Sequence, residues 1–584
     1  MPRLGAVASL LPGLYGLRSA TVGSDVVAGF TVWAVLVPES LAYSTIAGVP
    51  PVVGLYAAPA ALVLYALLGS SRHLIVGPMA AAAALSAAAV AARTTDPETA
   101  VRLTVVLALV VGVLGVIAAG ARLGFLASFL SEPVLKGFII GLALTIISGQ
   151  APKLLGLESS HGDFVERVRD LLSSLGDTHA ATVIVGVASL AVIFGVRRFA
   201  PRAPAPLVAV AGATVSSTLF DLGDRGIAVV GSIEAGLPSV GLPDVGWSEY
   251  VAIAGSAAGI LLVGFAEGLA AAKTYAARAG YRVAPNRELL GLGAANIGAG
   301  LSSGMVVAGS LSKTAVNGAA GARSQLSGLT AAALTIVTLL VLTPVFEQLP
   351  EPTLGAVVIA AVIELVDFAA LRRLYGLHSR ELARIYGSAA RADLIAASAA
   401  LVGVLIFDTL PGLFIGIGAS AALLAYRSSR PHVAVLARTP GDDGAWLDAT
   451  RHPEAVPCPD VLVVRPEGGL FYGNADNVEE SILTVVRTAS EPVRGVVLDA
   501  QSIPSIDATA TAMLVRLAQD LQRTGARMMI ARDVGQVRDV LRASDGASLS
   551  LEIHTSVDDA IEALGPASGH AEVGCTSAVA EGER

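Results

Sequence analysis

Three places in the chain combine residue types that do chemistry in an apolar setting. Glu267 lies in Leu261–Ala272 (LLVGFAEGLAAA), where it is the sole charge in a long apolar run. An ionisable side chain there is costly and marks a functional position by default. Low-dielectric surroundings penalise the carboxylate, so Glu267 is a candidate for proton uptake near neutrality. Its structural alternative is a permanent pairing with Lys313 or with backbone N–H groups. The other two places are Arg72–Ala80 (RHLIVGPMA) and Gly304–Thr314 (GMVVAGSLSKT), where Gly, Pro and Ser interrupt apolar sequence. Irregular backbone inside a membrane is tolerated only where protein or a watery cavity satisfies it. A helix that begins there presents unpaired N–H groups and its positive dipole end to an anion. The competing reading is that small residues merely allow close helix packing.

Those places need a membrane scaffold, and the composition supplies one. The 584 residues are 54% hydrophobic and only 15% charged, against about 25% charged for soluble domains. Residues 1–430 carry a net charge of +3 and residues 431–584 a net −11, so an apolar body bears an acidic, soluble tail. That acidity excludes nucleic acid as a partner of the tail. Uncharged runs such as 74–92, 103–121, 180–196, 324–346 and 409–426 match the length that a bilayer core requires, and 41–71, too long for one helix and broken by Pro50-Pro51, holds the end of one span and all of the next. With shorter Gly-interrupted stretches they predict about 14 segments. Every second connection is rich in arginine (Arg72, Arg122, Arg197 and Arg198, Arg278 to Arg287, Arg372 to Arg391). Basic residues mark the cytoplasmic side, which puts both termini in the cytoplasm. The two interrupted stretches are the third spans of two halves, the pattern of a 7+7 inverted repeat.

After Arg430 the pattern changes. Val461–Val464, Gly495–Leu498, Met528–Ile530 and Leu551–Ile553 read as short strands, alternating with helical stretches at 476–488, 508–523, 535–543 and 556–564. Alternation of this kind predicts a small α/β domain. Residues 566–584 have the composition of a disordered tail. Only two cysteines are present, Cys458 and Cys575, too few for a disulfide framework or a cysteine metal site. No nucleophile–base constellation, metal cluster or Gly-rich phosphate loop appears, so neither an enzyme nor a cofactor is expected.

Several of these stretches together resemble the SulP, or solute carrier 26, family of anion transporters. The similarity runs from about residue 23 to 565. Its most specific piece is Pro38–Tyr56 (PESLAYSTIAGVPPVVGLY), followed by Ser71–Pro78 (SRHLIVGP), Gly280–Leu289 (GYRVAPNREL), Asn317 and Gly321–Leu326 (GARSQL). The tail is similar to a STAS domain, with Asp499 ending a strand and Ile506–Thr509 (IDAT) opening the next helix. The resemblance implies an α-helical polytopic membrane protein of 14 spans, divided into core and gate subdomains, followed by a STAS domain, and usually a dimer. It implies the boundaries 1–22 for a cytoplasmic segment, 23–430 for the transport domain, 431–457 for a linker and 458–565 for the STAS domain.

Carried over position by position, the resemblance implies an anion held between two half-helices. Gly77, Pro78, Met79 and Ala80 match the start of one, and Gly309, Ser310, Leu311 and Ser312 the start of the other. Lys313 matches a basic position beside the site; it could supply a positive field, snorkel, pair with Glu267 or face a cytoplasmic cavity. Tyr43 matches an aromatic that lines the pocket. Glu39 departs from the family, which often carries Gln there; an acid beside an anion repels it unless protonated or turned away. Relatives with a carboxylate at the position of Glu267 are often H+ or Na+ symporters. In the tail, Ala508 stands where related domains are phosphorylated, so Asp507 and Thr509 are expected to cap a helix. The function so implied is H+-coupled symport of a small anion (sulfate, bicarbonate or dicarboxylate) by an elevator movement in the plasma membrane. A Na+-coupled bicarbonate carrier, an uncoupled exchanger and a STAS-signalling anion sensor with a cytosolic partner are the rivals.

Overall fold

Backbone groups inside a bilayer find no water, so a chain this apolar must pair them within helices. The computed structural model describes residues 21–125, 131–158, 163–200, 203–231, 235–366, 389–407, 409–440, 445–458, 460–544 and 551–565. The chain divides into two units, Met1–Ala421 and Ala422–Arg584. Among the described residues, eight helices are long and apolar enough to cross a membrane, and four shorter apolar helices join them.

In chain order the first half of the membrane unit holds α1 (Val22–Ile46), α2 (Pro51–Leu68), β1 (Ile75–Gly77), α3 (Ala80–Ala91), α4 (Pro97–Gly120), α5 (Glu132–Leu155), α6 (Phe164–Ser173), α7 (Ala180–Phe199) and α8 (Ala205–Phe220). The second half holds α9 (Trp247–Ala252), α10 (Ala254–Arg278), α11 (Pro285–Leu301), β2 (Ala308–Ser310), α12 (Leu311–Ala319), α13 (Leu326–Val337), α14 (Glu351–Leu365), α15 (Ala389–Phe407) and α16 (Thr409–Ser428). The uncharged run 41–71 is the end of one helix and all of the next. Gly48 turns the chain at φ 73°, and Pro51 opens α2 at the first helical position, where its missing N–H costs nothing. Asp96 caps α4 by accepting from Thr99 N (2.8 Å), and hydrogen bonding from the Thr99 side chain, then from its backbone, holds the carboxyl below the usual range.

Packing sorts these helices into two groups. In one, α11 lies along α4 and α2, and α13 along α1 and α2; in the other, α15 and α14 lie along α5, and α14 along α7. Glycine permits the closest approaches. A Cβ on Gly54 would stand 2.2 Å from the Ser40 carbonyl oxygen, and one on Gly137 would stand 2.0 Å from that of Ala397. The connection after α5 contains α6. Asp163 and Glu166 form a capping box at its start.

The second unit is a six-stranded sheet in the order β4-β3-β5-β6-β7-β8. Its strands are β3 (Val433–Arg438), β4 (Trp446–Asp448), β5 (Val461–Pro466), β6 (Gly495–Asp499), β7 (Arg527–Ala531) and β8 (Glu552–His554). From β5 to β8 neighbouring strands are parallel, and β3 is antiparallel to both β4 and β5. Helices α17 (Ala475–Thr488), α18 (Ala508–Arg523) and α19 (Gly535–Ser544) bury one face of the sheet, and α20 (Val557–Ala563) lies in the second core, on the other. The expected linker, residues 431–457, is corrected here. Val433–Arg438 and Trp446–Asp448 are the first two strands of the sheet, because the inward residues Ala434, Leu436 and Trp446 complete the second core. Asp507 caps α18 by accepting from Ala510 N (2.8 Å), as expected, and also accepts from Tyr472 N (2.8 Å). The expected terminal segments and the basic residues Arg372 to Arg384 lie outside the described residues.

Asp499, at the end of β6, is fully buried and holds two arginines. Arg465 Nε donates to it at 2.6 Å, and Arg532 Nε at 3.0 Å. Removing one partner of a buried ion pair costs about 3–5 kcal/mol. Asp499→Ala is therefore expected to lower the thermal midpoint at which the 431–565 region of the full-length protein becomes trypsin-sensitive; unchanged resistance would contradict this role.

Candidate anion-binding site

Two chain breaks in the membrane unit complete each other. β1 and β2 form an antiparallel pair with Ile75 opposite Ser310, Val76 opposite Gly309 and Gly77 opposite Ala308. β2 runs directly into the short helix α12, and β1 reaches the short helix α3 through Pro78 and Met79. The pair satisfies backbone that would otherwise be orphaned at membrane depth. Close packing of α10 holds it: a Cβ on Gly309 would stand 2.7 Å from Gly268 Cα.

The helix starts differ in their caps. Met79 precedes α3 in extended conformation and offers no side-chain cap, which leaves the first-turn N–H groups of the alanine helix available. At α12, Ser310 Oγ accepts from Lys313 N (3.3 Å) and lies 3.1 Å from Ser312 Oγ.

Lys313 supplies the charge. Its side chain is 0% exposed, and Nζ lies 2.6 Å from Glu39 Oε2, itself on a side chain only 4% exposed. The approach lacks hydrogen-bond geometry at Oε2. Nζ donates instead to Pro78 O at 2.9 Å, which puts the ammonium at the entrance to α3. The Tyr43 ring centroid is 5.0 Å from Nζ. Glu39 and Tyr43 are four residues apart on α1, so both project from one face toward the same cation.

A set of buried polar side chains locks the broken segments. Ile75 N donates to Thr314 Oγ1 (3.1 Å), and Asn317 Nδ2 to His73 O (2.9 Å). Asn296 accepts from Val307 N (3.0 Å) and donates to Val307 O (2.9 Å), fixing the residue before β2. Glu288 accepts from Tyr65 Oη (2.6 Å), Ser70 N (2.7 Å), Ser70 Oγ (2.6 Å) and Ser71 N (2.9 Å). Tyr281 Oη accepts from Arg72 N (3.0 Å) and lies 3.0 Å from His73 Nδ1. Gln325 Nε2 donates to Ser71 O (2.9 Å) and Leu74 O (2.8 Å).

Of the residues expected at the site, Glu39, Tyr43 and Pro78 each meet Lys313, and Gly77, Met79, Ala80, Gly309 and Ser310 are buried around the strand pair. Ser312 is half-buried, while the Leu311 side chain is 54% exposed and contributes only its backbone. Lys313 pairs with Glu39 and not with Glu267. Glu267 is half-buried on α10, beside Gly268, and has no hydrogen-bond or ion-pair partner among the described residues. The locking residues Asn296, Thr314 and His73 were missed. Their signal was polarity inside apolar sequence, which does not reveal a partner. No group of side chains able to hold a metal occurs among the described residues.

The model of the sulfate permease family matches residues 22–387, and that of the STAS domain matches residues 452–560. The chain belongs to the sulfate permease family. It is accordingly a membrane anion transporter with a STAS domain, and not an enzyme. A probable sulfate transporter of Mycobacterium tuberculosis is 38% identical over 89% of this chain and 91% of its own length. High affinity sulfate transporter 2 of Stylosanthes hamata is 28% identical over 93% and 84%. Among solved structures, the murine solute carrier 26 family member A9 anion transporter, in its inward-facing state, aligns with a TM-score of 0.83, 21% identity, and coverage of 96% and 94%. The transmembrane domain of the cyanobacterial bicarbonate transporter BicA aligns at 0.58, with 22% identity over 69% of this chain and 98% of that one. These structures share the fold.

Gly309→Ala places a methyl against α10 backbone, which cannot give way as a side chain would. Overpacking of this kind costs about 1–3 kcal/mol. The variant is expected to unfold at lower temperature and to show anion uptake into proteoliposomes reduced at least tenfold; wild-type uptake by a folded Gly309→Ala protein would show that the pairing of α10 with β2 is not needed.

Proposed function

We propose that this protein is a proton-coupled symporter of a small oxyanion, with sulfate as its first candidate, and that one group of helices moves against the other as a core against a gate. The observation that carries the reading is Lys313, a fully buried ammonium at the junction of two helix N-termini. A cation in that setting attracts an anion strongly because little solvent screens it. The names borne by its relatives in Mycobacterium tuberculosis and Stylosanthes hamata favour sulfate. In this reading the core comprises α1 to α4 and α10 to α13, and the gate comprises α5, α7, α8 and α14 to α16, arranged as a 7+7 repeat. The protein works in the plasma membrane as a homodimer with cytoplasmic termini, and its STAS domain meets a cytosolic partner.

The two carboxyls divide the work. Glu39 occupies Lys313 while the site is empty, so an entering anion competes with an internal one. Glu267 has no partner to hold its charge, and it carries the coupling proton. The anion binds when Glu267 is protonated; after release inside, the empty carrier loses the proton and resets.

Sulfate uptake into proteoliposomes tests this. An inward H+ gradient is expected to drive accumulation in the wild type. Glu267→Gln keeps size and hydrogen bonding without a titratable proton, and is expected to lose gradient-driven uptake while retaining sulfate exchange. A Glu267→Gln protein that still responds to the gradient would remove Glu267 from coupling, and a response to Na+ instead would favour a Na+ carrier.

Glu39→Gln frees Lys313 of its internal competitor. It is expected to raise sulfate affinity about tenfold, or ~1.4 kcal/mol, with the pH-gradient response preserved. Should Glu39→Gln abolish that response and Glu267→Gln leave it intact, the coupling proton belongs on Glu39.

A further inference from the structure

A cavity lined by two cations begins one turn along α3 from Ala80. The face of α3 beyond Ala80 is made of alanines, and Ala84, Ala87 and Ala88 are half-exposed while their neighbours are buried. They line a cavity of about 320 Å³ together with Gln150 and Lys153 of α5 and Arg167 of α6. Water occupies about 30 Å³ per molecule, so the space admits an oxyanion with part of its hydration shell.

The lining holds two cations and no carboxylate. Neither Lys153 nor Arg167 has an ion-pair or hydrogen-bond partner among the described residues, and Arg167 Nε is buried and unpaired. Gln150 Oε1 is likewise buried and unpaired. The carboxylates facing this region stand elsewhere. Glu158 and Asp170 border a separate cavity of about 30 Å³ on the other side of Arg167, and Glu351 acts on Lys153 without lining the 320 Å³ space. Two unpaired cations around one cavity in a poorly screened environment concentrate anions there. Backbone alternation puts the cavity at the membrane end opposite Arg72 and Arg122, since α1 and α5 terminate beside it and α16 begins beside it.

We propose that Lys153 and Arg167 form a vestibular subsite that collects a small inorganic oxyanion before it reaches Lys313. The inference deepens the transport reading and rests on it for the choice of ligand; the positive field of the cavity does not depend on transport. The two cations bind the anion through water and field more than through fixed hydrogen bonds, so affinity there is low and release toward Lys313 is easy.

The test uses Ala88→Cys in the full-length protein with Cys458 and Cys575 replaced by serine. The rates of modification by an anionic sulfonatoethyl and a cationic trimethylammonioethyl methanethiosulfonate are compared, each relative to its rate with a free thiol. The anionic reagent is expected to be favoured at least tenfold, and Lys153→Gln with Arg167→Gln should erase most of that preference. Lys153→Arg with Arg167→Lys should keep it, which a merely structural role for the two residues would not require. Millimolar sulfate is expected to slow modification in the wild-type lining but not in the neutral one. A preference that is absent, or unchanged by the neutral pair, overturns the site; a strong preference without sulfate protection overturns only the oxyanion as its ligand and leaves the transport reading to its own assay.

Discussion

A positive charge buried at membrane depth dominates the energetics of this protein. An isolated ammonium there would be far too costly, and real proteins pair such charges or neutralise them. Lys313 is compensated by Glu39 and Pro78 O, with the Tyr43 ring nearby. Compensation by a carboxylate from another helix is reversible in a way that covalent structure is not. The same cation can serve an internal anion or a transported one. Transport therefore asks for two arrangements of similar energy, and an ion pair without ideal hydrogen-bond geometry is suited to that exchange.

The arrangement requires rigidity around a point that is itself irregular. Two three-residue strands and two short helices would not hold position in a bilayer alone. Their stability comes from buried polar groups whose partners are backbone atoms of the broken segments: Asn296 on Val307, Asn317 on His73, and Glu288 on Ser70 and Ser71. Asp25 contributes at the start of α13 by accepting from Arg323 N (2.6 Å) and Ser324 Oγ (2.7 Å). Each bond is strong where water cannot compete, and each would leave an expensive orphan if broken. The glycines between α10 and β2 let backbone meet backbone, so the broken segments are carried by packed main chain.

Much of this was legible in the sequence because it is periodic or punctuated. Proline and glycine at Gly77-Pro78 and the Gly309-Ser310 pair announce broken backbone, and Pro50-Pro51 separates two helices in one uncharged run. The central strands of the STAS unit are continuous apolar runs and read clearly. Strands β3 and β4 did not: β3 follows closely on the last apolar helix, and β4 has only three residues. The partner of Lys313 was the main thing sequence could not provide. Glu39 and Lys313 are far apart in the chain, and Glu267 is an equally plausible acid until helices are packed. Glu39 was read as a repulsive neighbour of the anion; in the folded chain it is the counter-ion of Lys313.

The most direct test is a structure of the protein with selenate, a heavy analogue of sulfate, bound at saturating concentration. Selenate should lie at the first-turn amides of α3 and α12 and beside Lys313 Nζ, with Glu39 Oε2 withdrawn from Nζ beyond about 4 Å, the limit of an ion pair. Selenate bound away from Lys313, or bound there while the Glu39 pair stays closed at 2.6 Å, would contradict the exchange of one anion for another on which the account rests.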